Sequence, residues 1–277
     1  MPIKKCSSLI ILFSLSVFAF GQTTELMSFN IKYDNKSDTI NNWNDRKEKM
    51  VELLKHYEPS IIGMQEVLIN QLEYLDTALP TYKYVGVGRD DGKEKGEFSP
   101  ILYDTKSYKL LKSETFWLSD TPDKISKGWD ASLERICTYG LFEDLQTKKK
   151  IYVFNTHFDH RGVKARAESV KLILKKIKEI NTKNSALVLM GDLNLTPDQE
   201  PIKMLKKYLD EGQEITKKPF YGPVGSFNGF DDRTLTNKID YLFVKNLKVE
   251  TYRHIDDRMD NNKHISDHLP VFARVSW

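Results

Sequence analysis

The stretch Ala186–Asn194, ALVLMGDLN, constrains the fold more than any other part of the chain. Its apolar run has no polar alternation, the pattern of a strand buried on both faces. Such a strand requires a layered core with apolar groups above and below it. Gly191 ends the run, and Asp192 and Asn194 follow at a spacing of two. In extended backbone that spacing places both side chains on one face. A carboxylate and an amide at the end of a rigid strand suit a hard cation or a phosphate. A plain polar turn has the same letters, so the other polar clusters must decide.

The chain has 277 residues and opens MPIKKCSSLIILFSLSVFAFGQT. Lys4 and Lys5 precede an apolar run from Leu9 to Phe20, and Ala19 and Gly21 place small residues at the two positions a signal peptidase reads. This is the pattern of a secretory signal at residues 1–21, cleaved near Gly21–Gln22. The run is about a dozen residues, short of the ~20 that span a bilayer. Cys6 lies before that run, so it does not read as a lipidation site. The expected mature protein is one domain, residues 22–277, exported to the periplasm or beyond and monomeric. Cys137 is then its one cysteine, so an internal disulfide is excluded and the fold must rest on its core. The 42 Lys+Arg against 39 Asp+Glu fall to a net charge near +1 once Lys4 and Lys5 are removed. A protein gripping long nucleic acid usually carries a clear basic excess. The balance leans away from a nuclease without excluding one.

Along the mature chain, Thr24–Tyr33 reads as a first strand and Asn41–Tyr57 as an amphipathic helix. Ile61–Met64 reads as a strand, followed by Gln65–Glu66 and a helix over 70–79. Tyr82–Val87 is a further strand, and Gly86–Glu97, GVGRDDGKEKGE, a charged loop that matches no nucleotide-binding fingerprint. That loop either lines a cleft or is a solvated excursion. Ser99–Tyr103 and Tyr108–Thr115 are expected to pair, with Phe116–Gly128 as an exposed loop. Arg135–Leu145 and Lys150–Thr156 form another expected pair. Ala165–Ile180 is the clearest amphipathic helix, and a helix capped by Thr196 follows the central strand. After a loop at Lys217–Asn237, the segments Asn237–Val244 and Leu269–Trp277 close the chain as strands. Helices set between strand pairs suggest two packed sheets flanked by helices.

Five inferred strands end in polar clusters: FN at Asn30, QE at Glu66, THFDH at His157–His160, GDLN at Asp192 and Asn194, and IDY at Asp240. A sixth cluster, SDH at Ser266–His268, enters the last strand. Asp240 within an apolar strand demands a partner, because a lone buried carboxylate costs several kcal/mol.

This ordered set resembles the endonuclease/exonuclease/phosphatase superfamily, the DNase I-like fold, over nearly the whole mature chain. YDN, the 86–97 loop and FWLSDTP are similar to an exported bacterial subgroup. The resemblance implies a four-layered α/β sandwich of two mainly antiparallel sheets flanked by helices. It implies Mg²⁺-dependent hydrolysis of a phosphate ester, with Mn²⁺ able to substitute. By position, Glu66 matches the principal metal ligand, with Asn30 and Asp267 beside it. His268 matches the catalytic histidine and Asp240 the carboxylate that orients it. Asp192 and Asn194 match the pair that positions water and a phosphate oxygen. His157 matches a donor to the phosphate or leaving group. Arg135, Asp159 and His160 are taken as substrate contacts or as groups that support the contacting residues from behind. Oxygen donors of this kind suit Mg²⁺ or Mn²⁺ and not zinc.

The expected substrate is a small, glycan-linked or lipid-linked phosphodiester or phosphomonoester. The alternative is a secreted nuclease acting on DNA or RNA. A degenerate binding module would not be expected to keep the whole polar set.

Overall fold

The computed structural model describes residues 23–277. The expected signal segment therefore lies outside the described residues. Among these residues no helix is long and apolar enough to cross a membrane.

Strand β1 (Thr24–Asn30) leads to α1 (Trp43–Tyr57), then β2 (Ile61–Gln65) and α2 (Ile69–Ala78). Next come β3 (Tyr82–Val85), β4 (Ile101–Asp104), β5 (Tyr108–Trp117), β6 (Ile136–Asp144) and β7 (Lys150–His157). Helix α3 (Val163–Ile180) precedes β8 (Ala186–Asp192) and α4 (Glu200–Leu205). The chain finishes with β9 (Asp210–Glu211), α5 (Gly212–Ile215), β10 (Asp240–Lys245), β11 (Lys248–His254) and β12 (Val271–Ser276).

These strands form two six-stranded sheets. One has the order β11-β12-β1-β2-β4-β3, the other β5-β6-β7-β8-β10-β9. Each is antiparallel except at its centre, where β1 runs parallel to β2 and β7 parallel to β8. Leu26, Ile61, Val153, Val188, Met190, Leu242 and Val271 fill the space between the sheets. Met50, Leu54, Leu72 and Leu75 of α1 and α2 pack outside the first sheet. Val170, Ile173 and Ile177 of α3, with Ile202 and Leu205 of α4, cover the second. The result is the four-layered α/β sandwich. It explains ALVLMGD, because β8 meets the other sheet on one face and helices on the other, and all seven residues are buried.

Local rules account for the helix ends. Asn42 caps α1 by accepting from Asp45 N at 3.2 Å, and Glu58 turns left-handed (φ 45°) just before Pro59. Gly191 has φ 146°, and a side chain there would strike the Thr156 carbonyl of β7.

Four expectations need correction. Ser99–Tyr103 and Tyr108–Thr115 do not pair: β4 joins β2 and β3, whereas β5 joins β6 in the other sheet. Short local separation favoured a hairpin, but the chain crosses between sheets there. Phe116 and Trp117 are buried at the end of β5, not on an exposed loop. The helix after β8 starts at Glu200 with Pro201 in its first turn. Thr196 and Pro197 instead form a turn in which Gln199 Oε1 accepts from Thr196 N at 2.7 Å. Finally, Asp240 opens β10 instead of ending a strand. Since β10 is antiparallel to β8, with Asp240 opposite Asp192, that start lies on the same rim.

Candidate active site

The rim of the sandwich is where strand register brings the polar clusters together. β1 and β2 end side by side, with Asn30 opposite Gln65 and Glu66 next in the chain. β7 and β8 end with His157 opposite Asp192. β12 runs antiparallel to β1, so the segment entering it, Ser266–Asp267–His268, reaches the same edge. Two buried side chains tie the sheets together just beneath. Asn155 Nδ2 donates to the Met64 and Pro100 carbonyls at 2.7 and 2.8 Å, and Gln65 Nε2 donates to Asn155 Oδ1 at 2.7 Å. The rim is thus fixed across both sheets.

At its centre, His268 Nδ1 lies 2.8 Å from Asp240 Oδ2, and His268 Nε2 lies 3.7 Å from Asp192 Oδ2. All three are buried. Each offers an atom within 4.8 Å of the others, a grouping tight enough to hold a metal ion. Burial opposes a charge on His268, but Asp240 and Asp192 outweigh it and push the imidazole up to about 10. Burial, reinforced by Asp240, pushes Asp192 up to about 7. The three groups thus form one buried, closely spaced seam. Phe227 packs against the His268 ring at 5.0 Å between centroids. Ser226 Oγ accepts from the backbone N–H of Ile239 and Asp240, both at 3.1 Å.

On one side of the seam the groups are acidic. Asn30 Nδ2 donates to Glu66 Oε1 at 3.1 Å and Asp192 Oδ2 at 3.0 Å, so its amide N–H groups join the two carboxylates. Glu66 sits in the left-handed region (φ 61°), a strain of about 1–3 kcal/mol typical of functional rims. Its Oε2 accepts from Tyr33 N at 3.2 Å. Lys32, which the sequence reading passed over, places its ammonium 3.7 Å from Glu66 and 3.5 Å from Asp267. A cation between two carboxylates marks this as a place that favours positive charge. Burial resists ionisation of Glu66, yet Lys32 and His268 outweigh it and lower its pKa. Burial raises Asp267. Arg46, also passed over because it reads as a surface residue of α1, is fully buried. It donates to the carbonyls of Asn41, Ile31 and Ile265 at 2.7–2.9 Å, clamping the Asn30 and Asp267 segments together.

On the other side the groups are basic. Asn194 Nδ2 lies 3.1 Å from both His157 Nε2 and the Phe158 carbonyl, which puts the imidazole proton on Nδ1. Burial, then Arg135 and Arg89, drive His157 well below its ordinary pKa, so it stays neutral. Asp159 is buried in the turn before α3, where it accepts from Arg161 N and Gly162 N at 3.0 and 2.7 Å. It also lies 3.5 Å from Arg135 Nε. Arg135 Nη2 meets His160 Nδ1 at 3.1 Å, and His160 itself is exposed. Arg89 and Glu97, from the 86–97 loop, complete this side with a 2.7 Å ion pair. A register argument along strands could not find them, because they sit on a loop.

Glu66 and Asp267, which share the Lys32 ammonium and are linked to Asp192 through Asn30, offer oxygen donors of the kind a hard divalent cation takes. The profile of the Endonuclease/Exonuclease/phosphatase family matches residues 27–268. The chain belongs to this family. Its members hydrolyse phosphate esters and generally depend on divalent metal.

A mannosyl-6-phosphatase of Bacteroides thetaiotaomicron is 36% identical, covers 92% of this chain and all of its own, and superposes with a TM-score of 0.88. An uncharacterised protein of Acanthamoeba polyphaga mimivirus is 29% identical over 84% of this chain and 92% of its own length. A probable RNA exonuclease of Saccharomyces cerevisiae is 28% identical over 66% of this chain, but only 36% of that protein is matched.

Proposed function

We propose that this family member is an exported, Mg²⁺-dependent phosphoesterase acting on a phosphorylated sugar or glycan. The observation that carries the reading is the buried His268–Asp240–Asp192 seam flanked by an acidic and a basic side. A phosphate ester needs all three. Its charge must be offset, its peripheral oxygens held, and a proton removed from attacking water.

Glu66 and Asp267 would hold the cation, with Asn30 fixing Glu66 against Asp192. Such an ion, when bound, polarises the phosphoryl group and offsets charge on the leaving oxygen. The proton lost by water enters the seam. Asp240 fixes the His268 ring through Nδ1, and Asp192, beside Nε2, is the group left to take that proton. A group raised to about 7 is well matched to proton transfer near neutral pH. Asn194 orients His157 so that its Nδ1–H is the group available to a phosphate oxygen.

The sugar assignment draws on the mannosyl-6-phosphatase, which matches over its whole length, and on the near-neutral mature charge. The yeast relative, matched over about a third of its length, keeps RNA in the comparison. The test is one panel at equal enzyme and Mg²⁺: a hexose 6-phosphate, a bis-aryl phosphate, plasmid DNA and RNA. Turnover of the sugar phosphate well above the nucleic acids is expected. Rapid plasmid nicking or RNA decay with no release of phosphate from the sugar would overturn it. For export, the N-terminus of protein recovered outside the cytoplasm is expected near Gln22.

A further inference from the structure

The 86–97 loop, which brings Arg89 and Glu97 to the basic side, is tightly built. Arg89 N donates to the Glu97 carbonyl at 3.2 Å and Asp90 N to the Lys95 carbonyl at 3.0 Å. Asp91 Oδ1 accepts from Lys93 N and Lys95 N at 2.8 and 2.9 Å. An added Cβ at Gly88 would strike the Lys95 backbone, so only glycine allows the two arms of this hook to close. Trp117 Nε1 donates to the Arg89 carbonyl at 2.8 Å and docks the hook on the end of β5. The outcome is that Arg89 is carried out of solvent, 8% exposed, beside Glu97.

Arg135 arrives from the start of β6 and is 5% exposed. Each guanidinium is braced by a buried or half-buried carboxylate: Glu97 for Arg89 at 2.7 Å, and Asp159 for Arg135 at 3.5 Å. Glu97 Oε2 is also 3.9 Å from His157 Nδ1, so the cluster abuts the seam through that imidazole. Three buried nitrogens here have no hydrogen-bond partner among the described residues: Arg89 Nε, Arg135 Nη1 and His157 Nδ1. Asp90 Oδ1 lies 3.6 Å from Arg89 Nε. Leaving such donors unpaired is costly, more so for charged ones. Braced, buried and unpartnered donors in one place are a site prepared for an anionic acceptor.

We propose that Arg89 and Arg135, braced by Glu97 and Asp159, bind the peripheral oxygens of a terminal phosphate and make the enzyme selective for phosphomonoesters. This rests on the phosphoesterase reading above and names its substrate class. A monoester dianion presents three free oxygens, enough for the metal side and the arginine side together. A diester has one charge fewer and one oxygen already esterified. Its second arm would lie against buried N–H groups and leave them unpaired, the kind of mismatch by which a polar site rejects an analogue.

The test uses the Mg²⁺-loaded full-length mature enzyme, with Arg89→Gln and Arg135→Lys variants checked for folding by circular dichroism. Substrates are a hexose 6-phosphate and its methyl phosphodiester, and inorganic phosphate is titrated by calorimetry. The wild type is expected to favour the monoester in kcat/KM by at least about tenfold. Each variant is expected to raise the monoester KM more than it lowers kcat. Each should also reduce the monoester-to-diester ratio and weaken inorganic phosphate by about tenfold or more, the range for a charged hydrogen bond. An unchanged ratio together with unchanged phosphate affinity overturns the proposal. Should Arg135→Lys not fold, Arg89→Gln on the loop carries the same test. Phosphate binding needs no turnover. If wild-type enzyme cleaves neither ester, the hydrolase reading fails while a tenfold loss of phosphate affinity still supports the arginine site.

Discussion

The two flanks of the His268–Asp240–Asp192 seam are built on opposite principles. On the acidic flank, Glu66 and Asp267 already share a cation, the Lys32 ammonium, and Asn30 donates to Glu66 and Asp192. On the basic flank, Arg89, Arg135 and His157 each keep a buried nitrogen with no partner among the described residues. The acidic flank is held by Arg46 through backbone carbonyls of segments adjoining β1 and β12. The basic flank is held by side-chain carboxylates, Glu97 and Asp159. One flank thus presents oxygens to a cation and the other nitrogens to an anion. On the proposed reading, a metal ion and a phosphate would be gripped from two sides with the seam between them.

The contrast can be broken most decisively on the acidic flank. Chelation with EDTA is expected to abolish hydrolysis, with Mg²⁺ or Mn²⁺ restoring it. Full activity in chelator would remove the metal from that side. The seam comes next: His268→Ala and Asp192→Ala are each expected to lose at least about a hundredfold in kcat. Near-normal turnover by a folded variant would reject the role of that residue.

A smaller effect separates the Lys32 ammonium from a bound metal. Removing it in Lys32→Met takes away the ammonium that lies between Glu66 and Asp267. Mn²⁺ binding measured by calorimetry is then expected to tighten by roughly threefold to tenfold. Weaker binding would show that Lys32 supports the metal instead of competing with it.

The smallest effect concerns stability on the basic flank. Burial opposes ionisation of Asp159, but N–H groups of Gly162 and Arg161 and the Arg135 charge outweigh it, lowering it to about 2. A depressed carboxylate stabilises the fold above its unfolded pKa, and that contribution fades as pH falls from near 4 towards 2. Asp159→Asn should therefore melt below the wild type at pH 7, with the gap closing by about pH 2.5. A gap that holds constant over this range would mean that the charge of Asp159 does not brace Arg135.

Much of this site could be read along the chain, and the reasons are specific. Asn30, Glu66, His157, Asp192 and His268 stand at or beside strand ends, and strand ends show as apolar runs stopped by polar letters. Asp240 announced its need for a partner because it sits against YLFV, and His268 is that partner. Other residues left no such trace. Arg46 lies among charged neighbours in NDRKEK and looks solvated, yet the fold closes over it. Lys32 acquires its position from two carboxylates far apart in sequence. The burial of Phe116 and Trp117 follows from α3 and the 86–97 hook packing on them, which no local window contains.

The amino-acid order alone settled the layered class, the buried character of β8 and the family. Those depend on local apolar patterning and on short ordered motifs, which need no partner to be recognised. Tertiary structure decided which sheet each strand joins and which charges are desolvated. It also left the arginine nitrogens without acceptors. Pairing and desolvation are set by groups remote in the chain, so they exist only once the two sheets have closed on each other.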